Sequence, residues 1–325
     1  MRTGAMVTLM AVGCGVALAG PARFDHVDGG AQWVLHIDLE QASHAELGQW
    51  FLHHIDEQIA EDEIASSLRG DLRWGQDVHG VTLYGWEDEG EDDESIVAVV
   101  YGSASLDKLE ERLWHGHAFL HGDDEPIKAG GHKVMVLGED DDQVNVIAMR
   151  AGNERVFLAS PKLEWLKRAA KVMDGDRDAL GGGAPILELS SPPEGAMAVV
   201  VATDLSRLSG FKPASEIARQ ADAVFGSLSE RDGKAHVSVA VSAETEEDAS
   251  SIADVVRGLV ALGRLIASDQ PDVQPLVEMT RGLKFSAEGR MVRGSLSVDA
   301  GKVREFLEEH EHDRDDDDQG DDDDD

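Results

Sequence analysis

The chain has 325 residues, with 29 Lys and Arg against 65 Asp and Glu, and its formal net charge is −36. A surface this negative repels phosphate backbones and anionic membrane surfaces, so composition argues against nucleic acid as a partner. About 300 residues after the N-terminal segment suffice for one large domain or for two of ordinary size.

The first 22 residues have the pattern of a secretory signal peptide. Arg2 precedes an apolar run over 5–18, and Ala17-Leu18-Ala19 is the small-residue pattern at which signal peptidase cleaves. The run is shorter than the about 20 apolar residues of a membrane-spanning helix, so we expect no transmembrane span in the mature chain. We expect an exported protein of the periplasm, the cell surface or the extracellular space.

Cys14, the only cysteine, leaves a second processing route open. The tetrapeptide that ends at Cys14 resembles a lipobox, whose cysteine becomes a lipid anchor. However, Ala11 stands where leucine is usual, and the apolar run continues beyond the cysteine. Ordinary cleavage near Gly20 or Arg23 is the route that the signal-peptide pattern favours. The mature chain would then have no cysteine, and its stability would come from burial alone.

Residues 175–195 are typical of a linker, because they contain three consecutive glycines and the pair Pro192-Pro193. The linker separates a predicted domain at 30–174 from a second at 196–310. The tail at 311–325 is expected to be disordered, because its aspartates repel one another.

In the first domain the sequence predicts nine elements. They are a strand at 33–39, a helix entered through a capping box of Ser43 and Glu46, strands at 78–86 and 95–101, a helix at 105–114, strands at 133–137, 144–149 and 155–159, and a helix that begins at Ser160-Pro161. The acidic stretch 87–94 is predicted to be the solvated tip of a hairpin.

The second domain is predicted to repeat this order. Its elements are strands at 197–205, 223–228 and 235–243, a helix at 214–222, a helix capped by Thr245, a hairpin of 283–287 and 291–298, and a helix capped by Asp299. The shared order β-α-β-β-α-β-β-α indicates two similar α+β units, with antiparallel sheets and helices packed on one face. Residue identity between the halves is low, so a chance likeness of layout is the alternative.

Asp174, Asp176 and Asp178 alternate directly after a predicted helix, as at the opening of an EF-hand-like calcium loop. The sixth position is Ala179 instead of glycine, and the twelfth is Pro185 instead of glutamate. The sequence therefore allows a weak Ca²⁺ site here, with an acidic helix exit as the alternative.

His115, His117 and His121 form the second candidate site, for a transition metal held in a loop. No His-Glu-x-x-His pattern accompanies them, and a chance cluster among 13 histidines is the alternative. His310 and His312, together with the aspartates of the tail, could hold divalent cations diffusely.

The sequence lacks a nucleophile elbow, a phosphate-binding loop and a dinucleotide fingerprint. We therefore expect an exported, acidic, non-enzymatic binding or structural protein of the cell envelope. It would have an unidentified envelope or extracellular partner, with weak Ca²⁺ binding as an addition. The competing hypothesis is a metal-dependent hydrolase that uses the histidine loop. A third is an acidic protein adapted to salt, with an unrelated binding role.

Overall fold

A computed structural model describes residues 22–61, 70, 72–86, 95–121, 127–138, 143–180, 192–203, 221–266 and 274–317. Residues 1–21 of the expected signal peptide, the hairpin tip at 87–94, linker residues 181–191, residues 214–220 of the helix predicted at 214–222 and the tail after 317 lie outside the described residues. The last two residues of that predicted helix, Ala221 and Asp222, begin a strand instead.

Helices account for a large share of the described chain. The α-helices are α1 (Leu39–His44), α2 (Glu46–Glu61), α3 (Asp107–His121), α4 (Leu163–Met173), α5 (Glu246–Ile266), α6 (Gln274–Met279) and α7 (Ala300–Asp317). Three short 3-10 helices cover Phe24–His26, Ala104–Leu106 and Thr280–Gly282. None of the described helices is long and apolar enough to cross a membrane.

The strands form one antiparallel sheet. They are β1 (Trp33–Asp38), β2 (Val78–Trp86), β3 (Ser95–Gly102), β4 (Lys128–Ala129), β5 (His132–Leu137), β6 (Val144–Ala151), β7 (Glu154–Ser160), β8 (Ala196–Thr203), β9 (Ala221–Arg231), β10 (Lys234–Ala243), β11 (Lys284–Glu288) and β12 (Met291–Asp299). Their order across the sheet is β11-β12-β10-β9-β8-β1-β2-β3-β7-β6-β5-β4. The α+β class with antiparallel pairing is thus confirmed.

The two halves of the chain share this single sheet, whereas the sequence analysis expected a sheet in each. Strands β1 and β8, the first strand of each half, pair with each other in the middle, with Leu35 opposite Val200. A second contact across the halves comes from Glu230, whose carboxylate accepts the N–H groups of Glu46 and Leu47 at 3.0 and 2.9 Å. These donors begin α2 and have no partner inside the helix, so a side chain of the second half caps a helix of the first.

Helices pack on both faces of the sheet, which corrects the expectation of one covered face. We call face A the side to which Val81, Val100 and Phe157 point; α1, α2 and α3 pack on it in the first half, and α5 and α7 in the second. Face B is the opposite side, which carries Val99 and Leu158 and is covered in the first half by α4. Successive residues of a strand point to opposite faces, so strands covered on both sides need apolar residues at nearly every position.

Several predicted helix ends are confirmed and others are shifted. Thr245 Oγ1 accepts the N–H of Asp248 at the start of α5, and Asp299 Oδ1 accepts the N–H of Lys302 at the start of α7, as expected. The capping box of Ser43 and Glu46 is wrong. The helical segment already begins at Leu39, because the carboxylate of Asp38 accepts the N–H of Gln41, and Ser43 lies inside α1.

Three further helix bounds differ from the sequence analysis. Helix α3 continues to His121 instead of ending at 114, and α4 begins at Leu163, two residues after Pro161. Helix α7 runs to Asp317, so the first part of the acidic tail is helical. A helix already nucleated by packing extends at little cost, whereas the prediction considered only repulsion among the aspartates.

Candidate functional site

The proposed calcium-binding aspartates lie where α4 ends. Gly175 has a positive φ of 77°, and the N–H of Asp176 donates to the carbonyl of Lys171 at 2.8 Å. This is the Schellman arrangement that closes a helix at glycine. The Asp174 carboxylate lies 3.0 Å from His132 Nε2, at the start of β5.

Asp178 is used through its backbone, because its carbonyl accepts the N–H of Gly29 at 2.9 Å. The aspartate loop thus ends a helix and joins it to the N-terminal segment. In the described part of the chain, no group of three or more His, Cys, Asp or Glu side chains is placed to hold a metal ion. Calcium binding by Asp174, Asp176 and Asp178 stays a prediction.

The histidines of the second candidate site lie in α3 and not in a loop. His115 is exposed, and its Nδ1 lies 2.8 Å from the carbonyl of Glu111 one turn earlier. His117 follows two positions later in the same helix. The side chains of His117 and His121, and those of His310 and His312 in α7, lie outside the described residues.

The strongest polar interaction among the described residues is centred on Asp28, which is fully buried. Arg168 binds its carboxylate with two parallel hydrogen bonds, from Nε at 2.7 Å and from Nη2 at 2.8 Å. Arg177 Nε also donates to Asp28, and so does the N–H of Gly30 at 2.8 Å. Burial alone would raise the pKa of Asp28, but these donors outweigh it and leave the pKa below its ordinary value.

Two tryptophans complete this site. The guanidinium carbon of Arg168 lies 4.2 Å from the ring centroid of Trp86 and 5.6 Å from that of Trp165. The two indole rings stack on each other with centroids 4.7 Å apart. A guanidinium over an aromatic face is attracted by the ring quadrupole, so the tryptophans hold Arg168 in the orientation that fits Asp28.

A second polar group lies beside it on face B, around Glu154 of β7. Its carboxylate binds Arg23 at 2.7 Å and His79 Nδ1 at 3.0 Å. His26 stacks on Tyr101 with ring centroids 5.6 Å apart, and burial lowers the pKa of His26. The group ties the N-terminal segment to the strands beneath it.

His36 of β1 is the most strongly perturbed histidine of this region. It is buried, and its Nδ1 lies 2.9 Å from Thr82 Oγ1 on β2. Burial lowers the pKa of His36 to about 4, so the imidazole is neutral at physiological pH.

Together these contacts hold two chain segments over face B, the N-terminal segment around Asp28 and the segment that follows α4. Besides the side-chain contacts, the N–H of Leu180 donates to the carbonyl of Val27 at 2.7 Å, and Asp28 and Ala179 form an isolated antiparallel bridge. The arrangement consists of paired charges and neutral buried rings, which is chemistry suited to holding a structure together. Sequence reasoning missed Asp28, Arg168 and Arg177, although Asp28-Gly29-Gly30 is a turn signal that marks the place.

Open space in the described part of the chain is found in the second half. A cavity of about 630 Å³ lies between the Thr280–Gly282 turn and α7, and its charged lining has both signs, with Arg281 3.6 Å from Glu278. A smaller cavity of about 370 Å³ lies on face B over β10, β12 and β11. Its lining has hydroxyl groups and cations but no carboxylate.

Comparisons with known proteins give a distant likeness to a solved structure. No protein-family model matches this sequence, and no curated protein is significantly similar to it. Crystal form IV of TP0453 aligns with a TM-score of 0.44 and 10% identity, covering 88% of this chain and 97% of TP0453. Crystal form III gives 0.42 and 10%, over 90% and 99% of the two chains, and form I gives 0.41 and 11%, over 89% and 97%. Values this low do not indicate a shared function.

Proposed function

We propose that this chain is an exported, acidic binding protein of the cell envelope, without catalysis of its own. In this proposal the first half is a rigid scaffold, and the second half presents sheet surface to an envelope or extracellular partner. The signal-peptide pattern of the N-terminus supports export. Mass spectrometry of the mature N-terminus would show whether the chain is cleaved or carries a lipid anchor at Cys14.

The observation that carries the proposal is the openness of the second half of the sheet. Strand β3 is buried at every position but Ile96, whereas no residue of β11 is buried and β12 has only Val292 buried. Sheet surface left open in this way is available for contact with another molecule.

On face A the open surface is apolar. Val200, Val237 and Val239 are 43%, 36% and 37% exposed, although valine on a strand usually faces a core. Gly226 lies between Val200 and Val239 in the strand register, so no side chain separates the two valines. We call these three valines the open valine patch. Grouped exposed apolar residues mark interaction sites more often than scattered ones do.

We further propose that the halves are tandem copies of one α+β unit. Each half begins with a strand at the centre of the sheet. A hairpin follows on the outer side, β2–β3 in the first half and β9–β10 in the second. A later strand then pairs with the outer strand of that hairpin, β7 with β3 and β12 with β10. A final helix, α4 or α7, follows the returning strand in each half. The returning strand belongs to a β5–β6–β7 meander in the first half and to a β11–β12 hairpin in the second.

Site-specific photocrosslinking in the native cell tests the binding function. A crosslinkable residue at Val239 should give discrete adducts of defined mass. The same residue at Phe51, which is equally exposed at 38% but lies on α2 of the first half, is the matched control and should give none. Absence of adducts from Val239, or equal adducts from both positions, would contradict the proposal.

Weak calcium binding remains a part of the proposal that needs its own test. A Ca²⁺ ion at Asp174 would compete with His132 for the same carboxylate. At fixed ionic strength, Ca²⁺ should raise the Tm more than sodium chloride does, and Asp176→Asn with Asp178→Asn should abolish the difference, because only ligands that prefer the native state stabilise it. An equal effect of both salts would remove calcium from the function.

A further inference from the structure

Serine side chains are concentrated on face B of the second half. One row across the strands consists of Ser227 (β9), Ser238 (β10), Ser295 (β12) and Lys284 (β11), each directly opposite the next. The neighbouring row consists of Phe225, Ala240, Arg293 and Ser286 on the same four strands. Since alternate residues of a strand share a face, the two rows lie side by side on one surface.

These rows line the cavity of about 370 Å³, which we call the serine cavity. Three hydroxyl groups belong to Ser238, Ser286 and Ser295, and the buried side chains of Phe225 and Ala240 supply an apolar part. Pockets for small organic ligands start at about 300 Å³ and combine apolar walls with a few polar groups. The serine cavity fits this description at the small end of the range.

The charged side chains that line the cavity are both cations. Neither Lys284 nor Arg293 forms an ion pair with a carboxylate among the described residues, whereas arginines elsewhere, such as Arg23 and Arg290, bind Glu154 and Asp222. Glu288 is on the same face of β11 but does not line the cavity.

The serine row continues inward from the cavity to a buried hydroxyl on β9. Ser227 is 6% exposed, and its Oγ has no hydrogen-bond partner among the described residues. It lies directly opposite Ser238, which lines the cavity. The Ser227 side chain is not part of the cavity lining, so Ser238 is the innermost serine of the row that a ligand would contact.

We propose that the serine cavity binds a small hydroxylated molecule that carries one oxyanion, a phosphate or a carboxylate. Arg293 presents a planar fork that matches either anion, and Lys284 adds a second positive charge. The serine hydroxyls both donate and accept, so they can exchange hydrogen bonds with hydroxyl groups of the ligand. The carbon skeleton of the ligand would contact Phe225 and Ala240. Most of the lining residues lie on face B, although Val239 of the open valine patch also borders the cavity. The ligand proposed here is distinct from the partner proposed for the patch.

Isothermal titration calorimetry of the full mature chain tests the site, with four probes at fixed ionic strength. Glucose 6-phosphate and glucuronate share the hydroxylated ring and distinguish phosphate from carboxylate. Inorganic phosphate lacks the ring, and glucose lacks the anion. At least one of the two charged sugars should bind saturably with a Kd of about 1 mM or below, and glucose at least about tenfold more weakly.

The variants Arg293→Gln and Lys284→Gln should each weaken binding of the charged sugar by about tenfold, the usual effect of removing a charge-assisted hydrogen bond. Arg257→Gln is the matched control, because Arg257 is an exposed arginine of α5 that pairs with Asp254 and does not line the cavity. Circular dichroism confirms that each variant is folded. Unchanged affinity in both cavity variants, or no saturable binding of any probe up to about 10 mM, would overturn the proposal.

Discussion

The two halves of the sheet differ in how they use their faces. Strands β2 and β3 of the first half are buried on both sides, between α1–α3 on face A and α4 on face B. Most positions of strands β10 and β12 in the second half are half-buried or exposed. The first half is therefore built for stability, and the second half leaves two chemically different surfaces open.

The sequence of the strands already reflects this difference. Strand β3 is an almost continuous apolar run, which only a strand covered on both faces can carry. Strand β12 places Val292, Leu296 and Val298 on face A and serines and Arg293 on face B. A strand in which apolar and polar residues alternate needs packing on its apolar face only, so its polar face is available to bind a ligand.

Among the substitutions considered, removing the buried carboxylate of Asp28 in the first half should lower the free energy of unfolding most. Asp28→Asn leaves the guanidinium groups of Arg168 and Arg177 without their partner, and we expect a loss of about 3 kcal/mol in the free energy of unfolding. Urea denaturation measures it. Asp254→Asn, at an exposed ion pair of the second half, should cost at most about 0.5 kcal/mol. Equal losses would contradict the division into scaffold and open surface.

Acid should act mainly on the first half. The pKa of His36 is lowered to about 4, so the unfolded chain binds its proton first. The stabilisation from neutral His36 is complete above about pH 6.5 and is lost as the pH falls towards the native pKa, by about 3 kcal/mol in all. His26, whose pKa is also lowered, acts in the same direction. Burial raises the pKa of Asp38 to about 6, which works in the opposite direction in this range.

The Asp38→Asn background isolates the histidine effect, since asparagine still offers an oxygen to the N–H of Gln41. Urea unfolding at about pH 7 and about pH 4.5 measures how much stability acid removes. In the Asp38→Asn background, this loss should be smaller when His36→Gln is added. His236→Gln, on the half-buried strand β10, is the matched control. If the free energy of unfolding depended on pH in the same way in the Asp38→Asn parent and in both histidine variants, His36 would not be the cause.

Replacing valine by alanine at one buried and one exposed strand position gives the smallest predicted difference in stability between the halves. Val156 on β7 is fully buried and Val239 on β10 is 37% exposed. Val156→Ala should cost about 2 kcal/mol, from lost burial plus the cavity it leaves, and Val239→Ala less than about 0.5 kcal/mol. Differential scanning calorimetry compares the two. A cost at Val239 as large as that at Val156 would mean that face A is covered there in solution.

The sequence predicts the local structure of this chain better than its long-range contacts. Thr245 and Asp299 were assigned correctly because a helix cap involves residues three positions apart, which periodicity and composition reveal. The capping box at Ser43 failed because Ser43 lies inside α1, which Asp38 caps, and because Glu230 of the second half accepts the first N–H groups of α2.

The pairing of β1 with β8 and the ion pair of Asp28 with Arg168 depend on residues more than 100 positions apart. No local pattern encodes such contacts. The serine cavity was missed for a related reason, because its residues come from four strands and become neighbours only through the register. The sequence did show alternating serines on β10 and β12, a polar face without an assigned role.

Hydrogen–deuterium exchange of the mature chain, resolved by peptide, tests most directly whether the halves play different roles. Amides of β2, β3 and β7 should exchange only through global unfolding, since both of their faces are packed, whereas amides of β11 and β12 should exchange earlier through local opening. Uniform protection across β2, β3, β7, β11 and β12 would contradict the account, because the second half would then be as firmly held as the scaffold.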